Sequence, residues 1–408
     1  MYCEMVWKYA SILLALDSSD LPKFAVAFAI IILVGWLTLV ITMGYQLFRR
    51  TSSCCDFSSN DTIKGMSASE RDRPDEAEKM RADLMALPHV SHTIEKDGIK
   101  LAALYFPQLM HSDHEETVDK IENERVHKIA DSDLHAAVVD KNESEHFFCS
   151  AYSQSEYMDE SAEHGSDNPF KGVCAVVVHG WQGHVLSRAK EALQYLNAGF
   201  SVLMPALRGH EPTGGDYSDL FLKHYDDLGT WMDHVTKMYG EDGSEKVHAF
   251  VLDGVSMGAS NVLKMAGDPN LSDSVVAVIA DCGYTSLREE GKWMLHKLPA
   301  FLRFPVLIAT QVFYGVIAGV WNDKPTPLDC VRHARVPVFI IHGERDFLVP
   351  LRMGEQLYEA CSSEKKELWI VPNATHATSN DFAGADYRRK RHQFIEESLH
   401  LFYKNNVT

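Results

Sequence analysis

The chain has 408 residues, 46% of them hydrophobic, and a formal net charge of −18. That length and apolar content are enough for a large buried core, and the acidic balance excludes nucleic acid as a partner, because phosphate neutralisation requires clustered Lys and Arg. Eight cysteines with no C-x-x-C pair and no regular spacing exclude a disulfide framework and a zinc site.

Behind an N-terminal tail of residues 1–23, residues 24–48 ("FAVAFAIIILVGWLTLVITMGYQLF") carry no charge and are bracketed by Lys23 and by Arg49 and Arg50. At about 1.5 Å rise per residue such a run spans a hydrocarbon core of about 30 Å, so a single-pass transmembrane helix with a lipid bilayer as its partner is expected. The run is too long for a signal peptide, and no A-x-A site follows it. Flanking Lys and Arg lean by one charge toward a cytoplasmic C-terminal domain. Residues 49–88 read as a polar linker that ends in a short helix at "MRADLMAL". Next, "HTIEKDGIKLAALYFP" reads as two strands joined at Asp97–Gly98, a dipeptide suited to a two-residue hairpin.

Residues 108–168 hold sixteen Asp or Glu against four Lys or Arg. This stretch is expected to be a solvated, disordered insertion. Among its six histidines, His111 and His114 have the spacing of metal ligands, but a solvated tract is the expectation, with no metal and no cofactor.

Residues 89–107 and 169–408 form the main domain. From Gly172 onward apolar strands alternate with helices: "VCAVVVHG", "SVLMPAL", "VHAFVLDGV", "SVVAVIADCGYTS", "VPVFIIHG" and "KELWIV" are the strands. Such alternation predicts a doubly wound, mostly parallel sheet that binds ligands at the carboxyl ends of its strands. Residues 287–325 are apolar and aromatic but broken by Pro and Gly. They read as a helical cap that turns part of Trp293, Leu298, Phe301, Phe304, Leu307 and Phe313 toward an apolar pocket.

Within "VHAFVLDGVSMGASNVL" a strand runs into a helix through Gly254-Val255-Ser256-Met257-Gly258. A G-x-S-x-G turn needs small residues on both sides so that strand and helix can approach, and it lifts the serine hydroxyl off the sheet edge. Acyl transfer also needs a base, a carboxylate to orient it, and N–H donors for the oxyanion. His376, after the last strand, is the candidate base, and Asp346, after the penultimate strand, is the candidate acid. Asp281 is the alternative acid, and Asp253 is expected to point away from Ser256. The N–H groups of Trp181, after the His179–Gly180 turn, and of Met257, at the helix start, are the candidate oxyanion donors.

Together "DGIKLAALYFP", "VVVHGWQGH", "LRGHEPTGGDY", "YDDLGTWMDHVTKMYG", "GVSMGAS", "ADCGYTS", "HGERDFLVP" and "ATHATS" resemble bacterial membrane-anchored α/β-hydrolase-fold serine hydrolases related to the prolyl oligopeptidase and serine aminopeptidase branches. The resemblance covers about residues 90–105 and 172–403. It implies Ser256 as nucleophile, Asp346 as acid, His376 as base, Trp181 and Met257 as oxyanion donors, and a hydrolase domain outside the membrane. One loop departs from the pattern: where such proteins read R-G-H-G-x-S, this chain has Glu211 and Thr213, so substrate preference does not carry over. An esterase acting on small esters is the leading expectation and a peptidase acting on short peptides the alternative. An inactive scaffold is the reading outside enzymes.

Overall fold

Eight strands form one sheet in the order β1-β2-β4-β3-β5-β6-β7-β8. They are β1 (Val90–Lys96), β2 (Ile99–Phe106), β3 (Val173–Val178), β4 (Ser201–Ala206), β5 (Ala249–Val255), β6 (Val275–Asp281), β7 (Val338–Gly343) and β8 (Lys366–Val371). The computed structural model describes residues 21–52, 74–108, 168–218, 220, 225–239 and 246–406. The tail up to residue 20, most of the polar linker, and the acidic insertion between 109 and 167, with His111 and His114, lie outside the described residues.

The described chain divides into two units: Met1–Thr51 with Leu295–Trp321, and Ser52–Met294 with Asn322–Thr408. Helices in chain order are α1 (Leu21–Ser52), α2 (Pro74–Met85), α3 (Ala189–Asn197), α4 (Asp227–Met238), α5 (Met257–Ala266), α6 (Leu287–Met294), α7 (Ala300–Ala318), α8 (Pro327–Val331), α9 (Leu351–Ala360), α10 (Ser379–Ala383) and α11 (Ala385–Asn406). The segment read as a cap is thus shared: α6 belongs to the larger unit and α7 to the smaller. Helix α2 begins about six residues before the helix read at "MRADLMAL", because Pro74 is suited to a first turn and Asp75 and Glu76 face its partial positive charge.

In the larger unit β1 and β2 form an antiparallel hairpin, and Asp97 (φ 55°) and Gly98 (φ 72°) supply the left-handed pair that its turn requires. β2 pairs antiparallel with β4, and β3 to β8 are joined by parallel pairs. Strands β3, β4, β6 and β7 are buried along their whole length, which is why they read as continuous apolar runs. The strand order reverses at β3, with β4 on one side and β5 on the other, so a crevice opens at the carboxyl ends of β3 and β5.

Beneath that crevice lies a buried ionic cluster. Asp253, fully buried on β5, accepts from Arg188 at 2.8 Å, Arg391 at 2.6 Å and the Tyr195 hydroxyl at 2.7 Å. Burial would raise this carboxyl, but the two guanidinium groups hold it below the usual carboxylate range. The cluster ties α3 and α11 to the strand that carries the serine turn, and Arg391 also donates to Gln194 at 2.7 Å.

In the smaller unit α1 and α7 run parallel. Gly44 lies opposite Ala309 and Thr310, and one turn on, Phe48 meets Tyr314 edge to face at 4.9 Å. A Cβ at Gly44 would come within 2.5 Å of the Ala309 Cβ, so the small residue sets the close approach. Among the described residues, two windows are long and apolar enough to cross a membrane, Ile32–Arg49 with mean hydropathy 1.4 and Ala300–Ala318 with mean hydropathy 1.6.

Asp253→Asn should lower stability by about 3–5 kcal/mol, because it removes the carboxylate that two buried guanidinium groups share and leaves Arg188 only Glu191 at 3.5 Å. The midpoint of urea unfolding of the full chain in detergent checks this; an unchanged midpoint contradicts it.

Candidate active site

The serine turn follows from steric limits at two glycines. A Cβ on Gly254 would overlap the backbone carbonyl of Gly258, and one on Gly258 would come within 2.5 Å of the Val178 oxygen and 2.6 Å of the His179 oxygen. With both glycines present, β5 turns into α5 directly, and Ser256 takes φ 55°, ψ −115°, outside the regions that L-residues favour. The Ser256 N–H donates to the Asp281 carbonyl at 2.8 Å, and the Ser256 carbonyl accepts from the Ser260 N–H at 3.0 Å. Both sides of the strained residue are held by backbone bonds.

His376 stands in the loop between β8 and α10, between Asn373 (φ 61°) and Ala377 (φ 56°), two further left-handed residues that turn the loop sharply. Its Nδ1 lies 2.7 Å from Asp346 Oδ2, and its Nε2 lies 2.9 Å from Ser256 Oγ. An ionised carboxylate only accepts, so Nδ1 carries the proton and Nε2 is left to accept from the serine hydroxyl. Asp346 is buried, and its second oxygen accepts from the Leu348 and Val349 N–H groups at 2.9 and 2.8 Å. One carboxylate thus both shapes the turn before α9 and orients the imidazole. Gly343 lets this loop approach the histidine loop, since a Cβ there would sit 2.6 Å from the Ala374 oxygen.

The His179–Gly180 turn lies beside the serine: a Cβ on Gly180 would be 3.3 Å from that of Ser256. Buried His179 fixes the turn. Its Nε2 accepts from the Leu207 N–H at 3.1 Å, so its Nδ1–H donates to the Gly180 carbonyl at 2.8 Å. Trp181 follows this turn directly, and Met257, next to the serine in the chain, is the first residue of α5. The departing loop after β4 is tied to the sheet: the Thr213 hydroxyl donates to Ala206 O at 2.7 Å and accepts from Ala102 N–H at 2.8 Å. Glu211 is exposed.

Asp253 faces the ionic cluster on the opposite side from Ser256. The Asp281 oxygens are turned to other partners than His376, accepting from Ser379 Oγ at 2.9 Å and Tyr387 Oη at 3.0 Å. Among the described residues, donor atoms of Cys282, Asp346 and His376 lie within 4.8 Å of one another. The set fits a hydrogen-bonded relay better than a metal site, because the carboxylate and imidazole already satisfy each other and burial pushes the Cys282 thiol well above its ordinary range. A groove of about 560 Å³ is lined by Thr285, Glu289, Leu328, Arg332 and Arg352, and none of Ser256, Asp346 and His376 lines it.

Sequence reasoning missed Glu290. It lies on α6 in the segment read as cap, where no local pattern marks it. Its Oε2 is buried without a hydrogen-bond partner, and burial, then the charge of Asp346, pushes its carboxyl up to about 8. A carboxyl raised in the folded chain contributes stability that is fully present below its ordinary value of 4.5 and is lost as pH rises through about 8. Glu290→Gln should therefore gain on the parent as pH rises from 5 to 9, by an amount on the order of several kcal/mol at the upper end. Urea midpoints of both proteins at the two pH values check this, and a constant difference contradicts it.

A family model described as "Serine aminopeptidase, S33" matches residues 326–382. The chain is 28% identical over 224 residues to the Bacillus subtilis protein YqkD, covering 54% of this chain and 70% of that one. It is 23% identical over 246 residues to a thermostable monoacylglycerol lipase of Bacillus sp., covering 57% and 91%. Among solved structures it is similar to the Pyrococcus furiosus esterase Pf2001, with a TM-score of 0.51 and 18% identity over 78% of this chain and 93% of that one. With its mostly parallel eight-stranded sheet, its serine turn between β5 and α5 and this structural likeness, the chain has the α/β-hydrolase fold.

Proposed function

We propose that the protein is a serine hydrolase that cleaves a carboxylic ester through an acyl-enzyme on Ser256. The observation that carries this reading is the continuous chain from Ser256 Oγ through His376 to Asp346, at 2.9 and 2.7 Å, mounted on a strained strand-to-helix turn. Ser256 Oγ attacks the ester carbonyl while Nε2 of His376 takes its proton. Asp346 holds the Nδ1–H and stabilises the imidazolium. The oxyanion that forms faces the N–H groups of Met257 and Trp181. On collapse the ester C–O bond breaks and His376 returns the proton to the departing alcohol. Water then attacks the acyl-enzyme by the same route, releasing the acid and free Ser256. No cofactor enters this sequence.

A peptidase reading has one observation in its favour, the serine aminopeptidase description of the matching family model. The two readings share the nucleophile and differ in the leaving group, an alcohol or an amine.

Residues 24–48 within α1 are proposed to anchor the protein in a lipid bilayer, supported by the exposed Ile32, Leu33, Val34, Leu37, Leu39 and Ile41.

A fluorophosphonate probe should label the parent protein at Ser256. Ser256→Ala and His376→Ala should each lower hydrolysis of a short-chain aryl ester by about four orders of magnitude, with the double variant no worse than either. Asp346→Asn should stay folded and lose about ten-thousand-fold in turnover. An active Ser256→Ala protein sinks the mechanism, and faster turnover of aminoacyl amides than of esters favours the peptidase. Flotation with phosphatidylcholine vesicles should be kept in the parent and lost when Leu33, Leu37 and Ile41 are replaced by Asp; retained flotation contradicts the anchor.

A further inference from the structure

Asp281 stands at the end of β6, where the strand's last residue pairs with Val255 beside the serine turn. Two parts of this residue make separate contacts. Its backbone carbonyl accepts the Ser256 N–H at 2.8 Å. Its side chain accepts from Ser379 Oγ at 2.9 Å and from Tyr387 Oη at 3.0 Å. Ser379 is the first residue of α10, three positions after His376, and Tyr387 is buried on α11. One residue therefore bonds both to the nucleophile's own peptide and to the far end of the loop that carries the base.

That loop needs such a hold. His376 is followed by Ala377 at φ 56° and preceded by Asn373 at φ 61°, so the loop contains two left-handed non-glycine residues, each a conformation that persists only where surrounding contacts impose it. The near end is held through the Arg345 N–H to the Ala374 carbonyl at 2.9 Å, beside the acid turn. Within the loop, the Thr375 N–H donates to Thr378 Oγ1 at 2.8 Å. The hold from Ser379 to Asp281 leads to the serine turn.

Resting on the serine-hydrolase reading, we infer that Asp281 is a positioning residue that sets the separation between Ser256 Oγ and His376 Nε2 by tying the nucleophile's turn and the base's loop to one point at the end of β6. The carboxyl touches neither the reacting atoms nor the imidazole; it acts through Ser379. Burial pushes it up to about 7 against the lowering effect of its two hydroxyl partners and of the Arg188 charge. Both hydroxyls can donate to the ionised form, and either can turn to accept from the protonated form, so the tie survives titration. An apolar residue here would leave two buried hydroxyls unpaired and cut the loop's tie to the serine turn, while Asn380 and Asp381 still hold α10 to Glu191, Gln194 and Lys190 on α3. A shift of about 1 Å in a reacting group is enough for about a hundredfold loss of rate.

The test compares Asp281→Ala, Asp281→Asn, Ser379→Ala and Tyr387→Phe in the full chain in detergent, measuring kcat, KM, fluorophosphonate labelling rate and urea midpoint. Asp281→Ala and Ser379→Ala should each lower kcat and labelling rate by about 10- to 100-fold, with KM for a short-chain aryl ester unchanged within about twofold. Asp281→Asn keeps an acceptor oxygen for Ser379 and should recover most of the loss. Tyr387→Phe cuts the bond to α11 alone and should lower the urea midpoint while kcat holds. Should Asp281→Ala fail to fold, Ser379→Ala carries the test by itself. A labelled parent whose Ser379→Ala variant keeps its kcat, or whose Tyr387→Phe variant loses as much kcat as Ser379→Ala, overturns this inference alone. A parent that takes no label overturns the serine-hydrolase reading and this inference with it.

Discussion

The contact between Gly258 and the carbonyls of Val178 and His179 is the constraint from which the rest of the site follows. Helix α5 can pack this close to β3 only if no side chain stands at 258, and β5 can pass into α5 only if none stands at 254. The residue between them is then forced to positive φ, a strain on the order of 1–3 kcal/mol that must be offset nearby. The offset is visible on both sides of the sheet. Above it, backbone bonds hold Ser256 to Asp281 and Ser260. Below it, Asp253 anchors β5 to Arg188 and Arg391.

Three buried carboxyl groups near the turn show how local partners decide protonation. Asp253 meets two guanidinium groups and stays below the usual range. Asp281 meets only hydroxyls and rises to about 7; Glu290, with one oxygen unpartnered and the charge of Asp346 near it, rises to about 8. Burial acts on all three in the same direction, so the difference lies in what each oxygen faces. The graded series keeps fixed charge in the ionic cluster under the sheet and leaves Asp346 to pair with His376.

The residues proposed to carry the chemistry stand out in the chain because each lies where an apolar strand ends. Ser256, Asp346 and His376 follow β5, β7 and β8, and the turn residues Gly254, Gly258, Asp97 and Gly98 have the conformational freedom or small size that their positions require. Continuous apolar runs marked the central strands because both faces of the sheet are covered. Less was legible where contacts span long distances in sequence. The start of α2 carries no apolar signal, because its first turn is Pro74, Asp75 and Glu76. Residues 287–325 read as one cap, yet α6 joins the larger unit while α7 packs on α1, some 266 positions earlier in the chain.

By itself the sequence determined the parallel sheet and the glycine-flanked serine turn, because strand periodicity and glycine sterics are local properties that one stretch of chain can express. Only the tertiary structure decided between Asp346 and Asp281 as partner of the imidazole. Both are aspartates at or just beyond the end of a buried strand; position after the penultimate strand favours Asp346 and leaves Asp281 as the alternative. The distinction comes from which loops fold over each: the histidine ring comes to 2.7 Å from Asp346, while Asp281 is taken up by Ser379 and Tyr387 from helices more than ninety residues away. Hydrogen bonds of that span depend on the packing of the whole sheet and its covering helices, which no short segment encodes.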